Sequence, residues 1–219
     1  DLHLCDRRQR QMCIRDSSSH YKHQNDILAA YLGYGLKVKK ISGRLGVRYE
    51  HTKQEVKYLL GKGDNFDKNF DDLVPSASIG YKLTDMSNLR FGYNMRIYRP
   101  GIWYLNPYVN NADPQNISFG NPNLDSEKSN NINLNYSMFA QKFSINASAT
   151  YTFVNNSIEQ YTFIDPKNPG IFQTTYGNIG KKQSTGLFVY ANWNPVPLFR
   201  IYMNGGVDYT DLKSDMNDM

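Results

Sequence analysis

The chain has 219 residues, with 25 Lys and Arg against 20 Asp and Glu and a formal net charge of +5. No run of about 18 apolar residues occurs, so no transmembrane helix is expected. The basic residues are scattered rather than gathered into one stripe, so no nucleic-acid partner is expected either. Seventeen Tyr and eleven Phe in a chain of mean hydropathy −0.62 argue against disorder, which is aromatic-poor, and for amphipathic strands with aromatic-rich surfaces.

Residues 1–17, DLHLCDRRQRQMCIRDS, show neither strand alternation nor helix periodicity. The segment QRQMCIRDS resembles the read-through translation of a sequencing adapter, so 1–17 are set aside as non-native and 18–219 are taken as one partial barrel domain. Both cysteines, Cys5 and Cys13, fall in this segment, and their spacing fits no zinc pattern. His3, His20, His23 and His51 are not grouped with carboxylates, so no metal site, disulfide or cofactor is expected.

From Asp26 the side chains alternate. Leu28, Ala30, Leu32, Tyr34, Leu36 and Val38 share one strand face, and Ala29, Gly33, Gly35 and Lys37 the other. A turn over Lys39–Ser42 leads to a strand with Leu45, Val47 and Tyr49 opposite Arg44, Gly46, Arg48 and Glu50, continuing to Leu60. The stretch GKGDNFDKNFDD reads as a solvated acidic loop. Its Asp64, Asp67, Asp71 and Asp72 miss the EF-hand spacing. Ala77, Ile79, Tyr81 and Leu83 mark a third strand, with Pro75 tolerated near its start.

After a tight turn at TDMS, Leu89, Phe91, Tyr93, Met95 and Ile97 alternate with Asn88, Arg90, Gly92, Asn94 and Arg96. A loop over residues 99–128 follows. The next strand sets Ile132, Leu134, Tyr136 and Met138 against Asn131, Asn133, Asn135 and Ser137. A short turn at Ala140–Lys142 precedes Phe143, Ile145, Ala147, Ala149, Tyr151 and Phe153, which form one face of the cleanest strand in the chain. Residues 155–182 make a second excursion, with a hairpin of IEQYTFI and GIFQTTY around DPKNP. Two more strands flank a turn between Pro195 and Pro197.

Short connections near residues 40, 85, 141 and 196 alternate with long ones at 61–72, 99–128 and 155–182. All long loops therefore leave the sheet at one end. Transmembrane β-barrels have this asymmetry, with short periplasmic turns and long extracellular loops, whereas a soluble β-sandwich gives no reason for it. The fold class is all-β: an antiparallel up-and-down transmembrane β-barrel fragment of about eight strands. The apolar face then meets outer-membrane lipid, and the polar face lines a lumen.

Arg99-Pro100, Leu105-Asn106-Pro107, Asp113-Pro114 and Gly120-Asn121-Pro122-Asn123-Leu124, in that order after an amphipathic strand, resemble the outer-membrane β-barrel family of the TonB-dependent receptor type, common in the Bacteroidota. Leu45-Gly46-Val47-Arg48-Tyr49-Glu50 and Val74-Pro75-Ser76 resemble two upstream strand motifs of that family. Ser126, before Glu127, stands where the family pattern has Pro. The resemblance spans residues 20–212. It implies a bacterial outer-membrane location and a barrel of about 22 strands, of which this chain would be an internal piece. It also implies an N-terminal plug, absent from this chain, that contacts the TonB energy-transducing complex.

The motif residues of the loop are Arg99, Pro100, Asn106, Pro107, Gly120, Asn121, Pro122, Leu124 and Glu127. Arg99, Trp103, Tyr104, Tyr108, Asn110 and Asn111 are candidate contacts for an external ligand, the aromatics serving either as loop packing or as a stacking surface. No nucleophile elbow, phosphate loop, HExxH or spaced carboxylate pair is present, so no catalytic residue is assigned and no enzyme is expected. The expected function is part of the wall of a receptor importing a large scarce nutrient: a ferric chelate, a peptide or an oligosaccharide. A passive porin or adhesion barrel and a soluble carbohydrate-binding β-sandwich are the competing readings.

Overall fold

The computed structural model describes residues 20–60 and 65–214, so residues 1–17 with both cysteines and His3, together with Asp64, lie outside the described part. Eight long strands form the wall: β1 (His20–Val38), β2 (Ile41–Leu60), β3 (Phe66–Lys82), β4 (Ser87–Tyr98), β7 (Glu127–Phe139), β8 (Phe143–Ile164), β9 (Phe172–Val196) and β10 (Phe199–Ser214). Between β4 and β7 lie one helical turn, α1 (Ile102–Leu105), and two short strands, β5 (Asn110–Asp113) and β6 (Asn116–Ser118). The wall strands pair in chain order, each antiparallel to the next, and curl into one sheet.

Register turns the sequence alternation into two continuous faces. Leu134 pairs with Phe91 and Ala149, and Ala149 with Leu187, an unbroken apolar row across four strands. One residue along, Asn133 pairs with Gly92 and Thr150, and Thr150 with Gly186, a row of polar and small residues. A one-residue slip would exchange the faces, so the pattern fixes the register.

The apolar face has no protein layer over it among the described residues. Leu32 is 73% exposed, Leu45 61%, Leu187 58% and Val207 73%. A soluble sandwich buries such a face against a second sheet, whereas an outer-membrane barrel presents it to lipid. On β8 the outward band runs from Phe143 to Phe153, about 33 Å along the strand and roughly 25 Å after the usual barrel tilt, which matches the apolar height of outer-membrane barrels. Ala149 lies in mid-band on the lipid side, and Thr150 faces inward. Ala149→Lys is therefore expected to cost about 2–4 kcal/mol and Thr150→Lys much less, as measured by urea unfolding of the full-length protein in lipid vesicles.

The inner face carries an amide ladder. Asn135 Nδ2 donates to Asn133 Oδ1 (3.1 Å), Asn133 Nδ2 to Asn131 Oδ1 (3.4 Å), and Asn131 Nδ2 to Thr152 Oγ1 (2.8 Å). The first two bonds run along β7 and the third ties it to β8, on the side where backbone pairing alone leaves polar side chains unpartnered.

Several boundaries differ from expectation. β1 begins at His20 rather than Asp26, and the first turn is only Lys39–Lys40, with Lys39 at φ 50°. The stretch expected as an acidic loop up to residue 72 is strand from Phe66 onward. Its inward side chains, including Phe70 (4% exposed) and Asp72 (2%), are buried by the loop between β4 and β7, so Asp72 is not solvated. The excursion 155–182 is mostly the continuation of β8 and β9, leaving residues 165–171 as the connecting loop.

Pro75 is also misplaced by the sequence reading, since it sits mid-strand opposite Val47 of β2. Lacking an N–H, it cannot donate to β4. The β3–β4 ladder begins immediately after it, at Ser76 opposite Asn94. Above that point β3 pairs only with β2, and β4 only with β7, leaving a seam in the wall.

Candidate functional site

The strands overshoot the lipid band at the long-loop end, and there the loop of residues 99–126 folds back onto the inner face. Pro100 and the first turn of α1 lead the chain inward, where Asn106 N donates to Ile102 O (2.9 Å). Leu105 (0% exposed) meets Leu124 (1%) and Phe70 of β3, with Phe66, Tyr104, Ile158 and Tyr176 around them. Tyr104 stands edge-on to Tyr176, ring centroids 4.8 Å apart. Two leucines from the loop motifs thus build a small core with β3, β8 and β9, and the loop roofs the mouth of the lumen.

The Gly-Asn-Pro motif is the pin of this roof. Gly120 N donates to Asn106 O (2.9 Å) and Asn121 N to Tyr104 O (2.6 Å). A Cβ at Gly120 would collide with the Asn106 and Tyr104 carbonyl oxygens, so only glycine permits the backbones to approach. Asn121 Nδ2 donates to Tyr176 O (2.8 Å), while its Oδ1 accepts from Asn123 N (2.9 Å).

Both ends of the loop converge on one carboxylate. At the entry, Arg99 Nη2 lies 2.7 Å from Glu50 Oε2 and 3.2 Å from Asp72 Oδ2. At the exit, Ser126 Oγ donates to the same Asp72 oxygen (2.9 Å). The other Glu50 oxygen takes Arg48 Nε at 2.7 Å. The serine that departs from the family pattern therefore has a defined job, because a proline there has no hydroxyl to donate. This clamp spans the seam between β3 and β4 and replaces the missing backbone ladder with charge-assisted hydrogen bonds.

An irregularity in the β8–β9 pairing between Val154 and Glu159 aims further groups at the loop exit. Asn156 Nδ2 donates to Ser126 O (2.7 Å), and its Oδ1 accepts from Lys128 N (3.0 Å). Asn178 Nδ2 reaches Asp125 O (3.1 Å) and Asn156 O (3.0 Å). Glu127 Oε1 accepts from Ile158 N (2.6 Å).

The middle of the loop reaches farther. β6 runs parallel to β9, with Asn116 to Ser118 against Phe172 to Thr174, and so extends the sheet at the outer end of β9. Asp113 shapes the β5–β6 turn by accepting from Gln115 N (3.0 Å) and Asn116 Nδ2 (2.7 Å). The Asn116 bond, then that of Gln115, holds its pKa below the ordinary value. A carboxylate with a depressed folded-state pKa contributes stability that is present above the unfolded value and lost as pH falls through the folded one. Hydrogen exchange at Gln115 N should thus show constant turn protection at neutral pH and its loss on acidification below the usual Asp range of about 3.9.

The six candidate ligand contacts are divided by this geometry. Arg99 is committed to the clamp, and Tyr104 is half-buried in the loop core. Trp103 (72% exposed), Tyr108 (38%), Asn110 and Asn111 are exposed. Among the motif residues, Pro100, Gly120 and Leu124 are buried, and Asn106, Pro107, Asn121, Pro122 and Glu127 are half-buried. Sequence reasoning missed Glu50, Asp72, Asn156 and Asn178 as parts of the site. For Asp72 a signal existed, since Phe66, Phe70 and Asp72 share one strand parity. Asn178 carried none, being brought to the loop exit by the strand irregularity. Among the described residues no group of three or more His, Cys, Asp or Glu is placed to hold a metal ion, and no helix is long and apolar enough to cross a membrane.

An antiparallel curled sheet with a lipid-facing apolar band, a polar inner face and a roofed mouth defines the wall of a bacterial outer-membrane barrel. The profile of the outer membrane protein beta-barrel family matches residues 6–219, and the chain belongs to that family. Its fold is shared with solved receptors and transporters. The ferric yersiniabactin uptake receptor FyuA from Yersinia pestis is 22% identical, with a TM-score of 0.63 over 90% of this chain and 28% of that one. The FrpB iron transporter from Neisseria meningitidis is 12% identical, with a TM-score of 0.65 over 90% and 28%. The ferric-catecholate import receptor Fiu from E. coli K12 is 17% identical, with a TM-score of 0.63 over 89% and 29%. The chain thus spans less than a third of each. A comparison with curated protein sequences finds no match.

Proposed function

We propose that the protein contributes barrel wall and a ligand-contacting mouth loop to an outer-membrane importer energised through TonB. Its cargo is a nutrient too large or scarce for passive diffusion, in the class of ferric chelates, peptides and oligosaccharides. One observation carries this reading. The loop is a pre-organised roof, anchored at both ends and through its middle, that leaves Trp103, Tyr108, Asn110 and Asn111 exposed. A rigid aromatic and amide surface binds ligand at low entropic cost, which a passive pore does not need. The structural relatives named for uptake and iron transport support the same reading.

The test uses the full-length protein in cells. Trp103→Ala with Tyr108→Ala should abolish saturable uptake while leaving the barrel in the outer membrane, and loss of TonB should abolish uptake by the unaltered protein. Flux that rises linearly with solute concentration and persists without TonB would instead establish a passive pore. Tyr104 is left intact because its replacement would disturb the loop core.

A further inference from the structure

The inner face of the first four strands is cationic at the short-turn end, whereas that of β7 and β8 is built of amides and hydroxyls. Lys37, Ser42, Gly80 and Arg90 form one row across β1 to β4, each pairing with the next. Arg44 enters from the next inward row, opposite Gly35 and Ser78. With strands about 4.8 Å apart, Lys37 and Arg90 stand about 14 Å apart, and their long side chains flank a floor of small residues. The floor is a concavity of about 340 Å³ lined by Lys37, Ser42, Arg44, Ser78, Gly80 and Arg90. A Cβ at Gly80 would sit 2.8 Å from Ser42 Oγ, so any larger residue would fill it.

None of the three cations has an ion-pair partner among the described residues. The inward carboxylates of these strands, Glu50 and Asp72, are taken by Arg48 and Arg99 at the opposite end, and Asp85 of the nearby turn pairs with Lys82. We infer that this concavity is an oxyanion site, taking a carboxylate or phosphate group from the lumen side. Two guanidinium forks and an ammonium supply charge-assisted hydrogen bonds, and the Ser42 and Ser78 hydroxyls can add neutral ones. If polypeptide fills the lumen here, the cations must be paired, since a buried cation without a counter-charge is strongly disfavoured. If water fills it, they concentrate free anions. The inference depends on the inner face lining a lumen, not on the energy source or cargo of transport.

The test measures acetylation of Lys37 in the full-length protein in native outer-membrane vesicles, with the exposed turn residue Lys40 as internal reference. Zero-length carbodiimide coupling tests for a polypeptide carboxylate, and sodium phosphate is the free-anion probe. Coupling of Lys37 to an Asp or Glu outside residues 20–214 identifies a protein carboxylate as the occupant. Protection of Lys37 by phosphate, to about one tenth of its unprotected rate and without coupling, identifies a free anion. Either result should be lost in Arg44→Gln/Arg90→Gln and kept in Arg44→Lys/Arg90→Lys. Lys37 acetylated as fast as Lys40, with neither coupling nor protection, overturns the inference.

Discussion

Replacing Asp72 by asparagine should weaken the anchoring of the mouth loop at both of its ends. The Asp72 side chain is 3% exposed and is approached by Arg99 from the loop entry and by Ser126 from its exit. Removing one partner of a buried charged cluster costs about 3–5 kcal/mol, and here it leaves Arg99 and Arg48 sharing the single carboxylate of Glu50. Glu50 retains its contact with Arg99, so the loop should open locally while the strands stay paired. Hydrogen exchange in the full-length protein reads this directly. Amides of Gly120 and Asn121, bonded to Asn106 O and Tyr104 O, should exchange about 10²- to 10⁴-fold faster, while those of β7 and β8 are unchanged. Unaltered protection at Gly120 would mean that the leucine core alone holds the roof. Ser126→Ala, which removes one hydrogen bond to a charged group, should show a smaller effect of about 1.5–3 kcal/mol.

Gly120→Ala should have an effect of similar size by a different route. The added methyl meets backbone atoms of Asn106 and Tyr104, which cannot yield as the end of a flexible side chain could. Overpacking of about 1–3 kcal/mol then combines with loss of two backbone hydrogen bonds of about 0.5–1.5 kcal/mol each. Gly101→Ala is the matched control, since nothing lies within 4 Å of its Cβ position. Limited proteolysis should cut the loop of the Gly120 variant readily and leave the Gly101 variant resistant. Equal resistance would show that the close approach at Gly120 can relax.

The wall was legible in the chain because each strand meets two different solvents, and alternation such as Phe143 to Phe153 records that directly. Loop placement was legible for the same reason: short turns such as Lys39–Lys40 leave no room for anything but a hairpin. The excursions at 61–72 and 155–182 were harder. Outside the bilayer both faces of a strand can be polar, so β8 and β9 lose their period while keeping their ladder up to Ile164 and from Phe172. Asp72 was read as solvated because its neighbours Asp67 and Asp71 are polar and outward. Its burial comes from a loop that joins strands further along the chain. Pro75 was placed at a strand start by a local rule, whereas the strand tolerates it because β4 diverges there. The motif residues Gly120, Asn121 and Leu124 were found as a pattern, but their work as pin and core depends on contacts with Asn106, Tyr176 and Phe70, which no local signal encodes.

The length of the β8–β9 hairpin bears on how the cell surface presents this protein. From Phe153 to Ile164 the strand continues for about another 36 Å along its axis, so the hairpin stands away from the membrane by a distance comparable to the membrane's own apolar thickness. Its tip, residues 165–171, carries Gly170 at φ 130° with open space around it. Antibodies and phage would meet this tip before they reach the roofed mouth. An epitope inserted beside Gly170 would label intact cells while leaving the Asp72 clamp undisturbed.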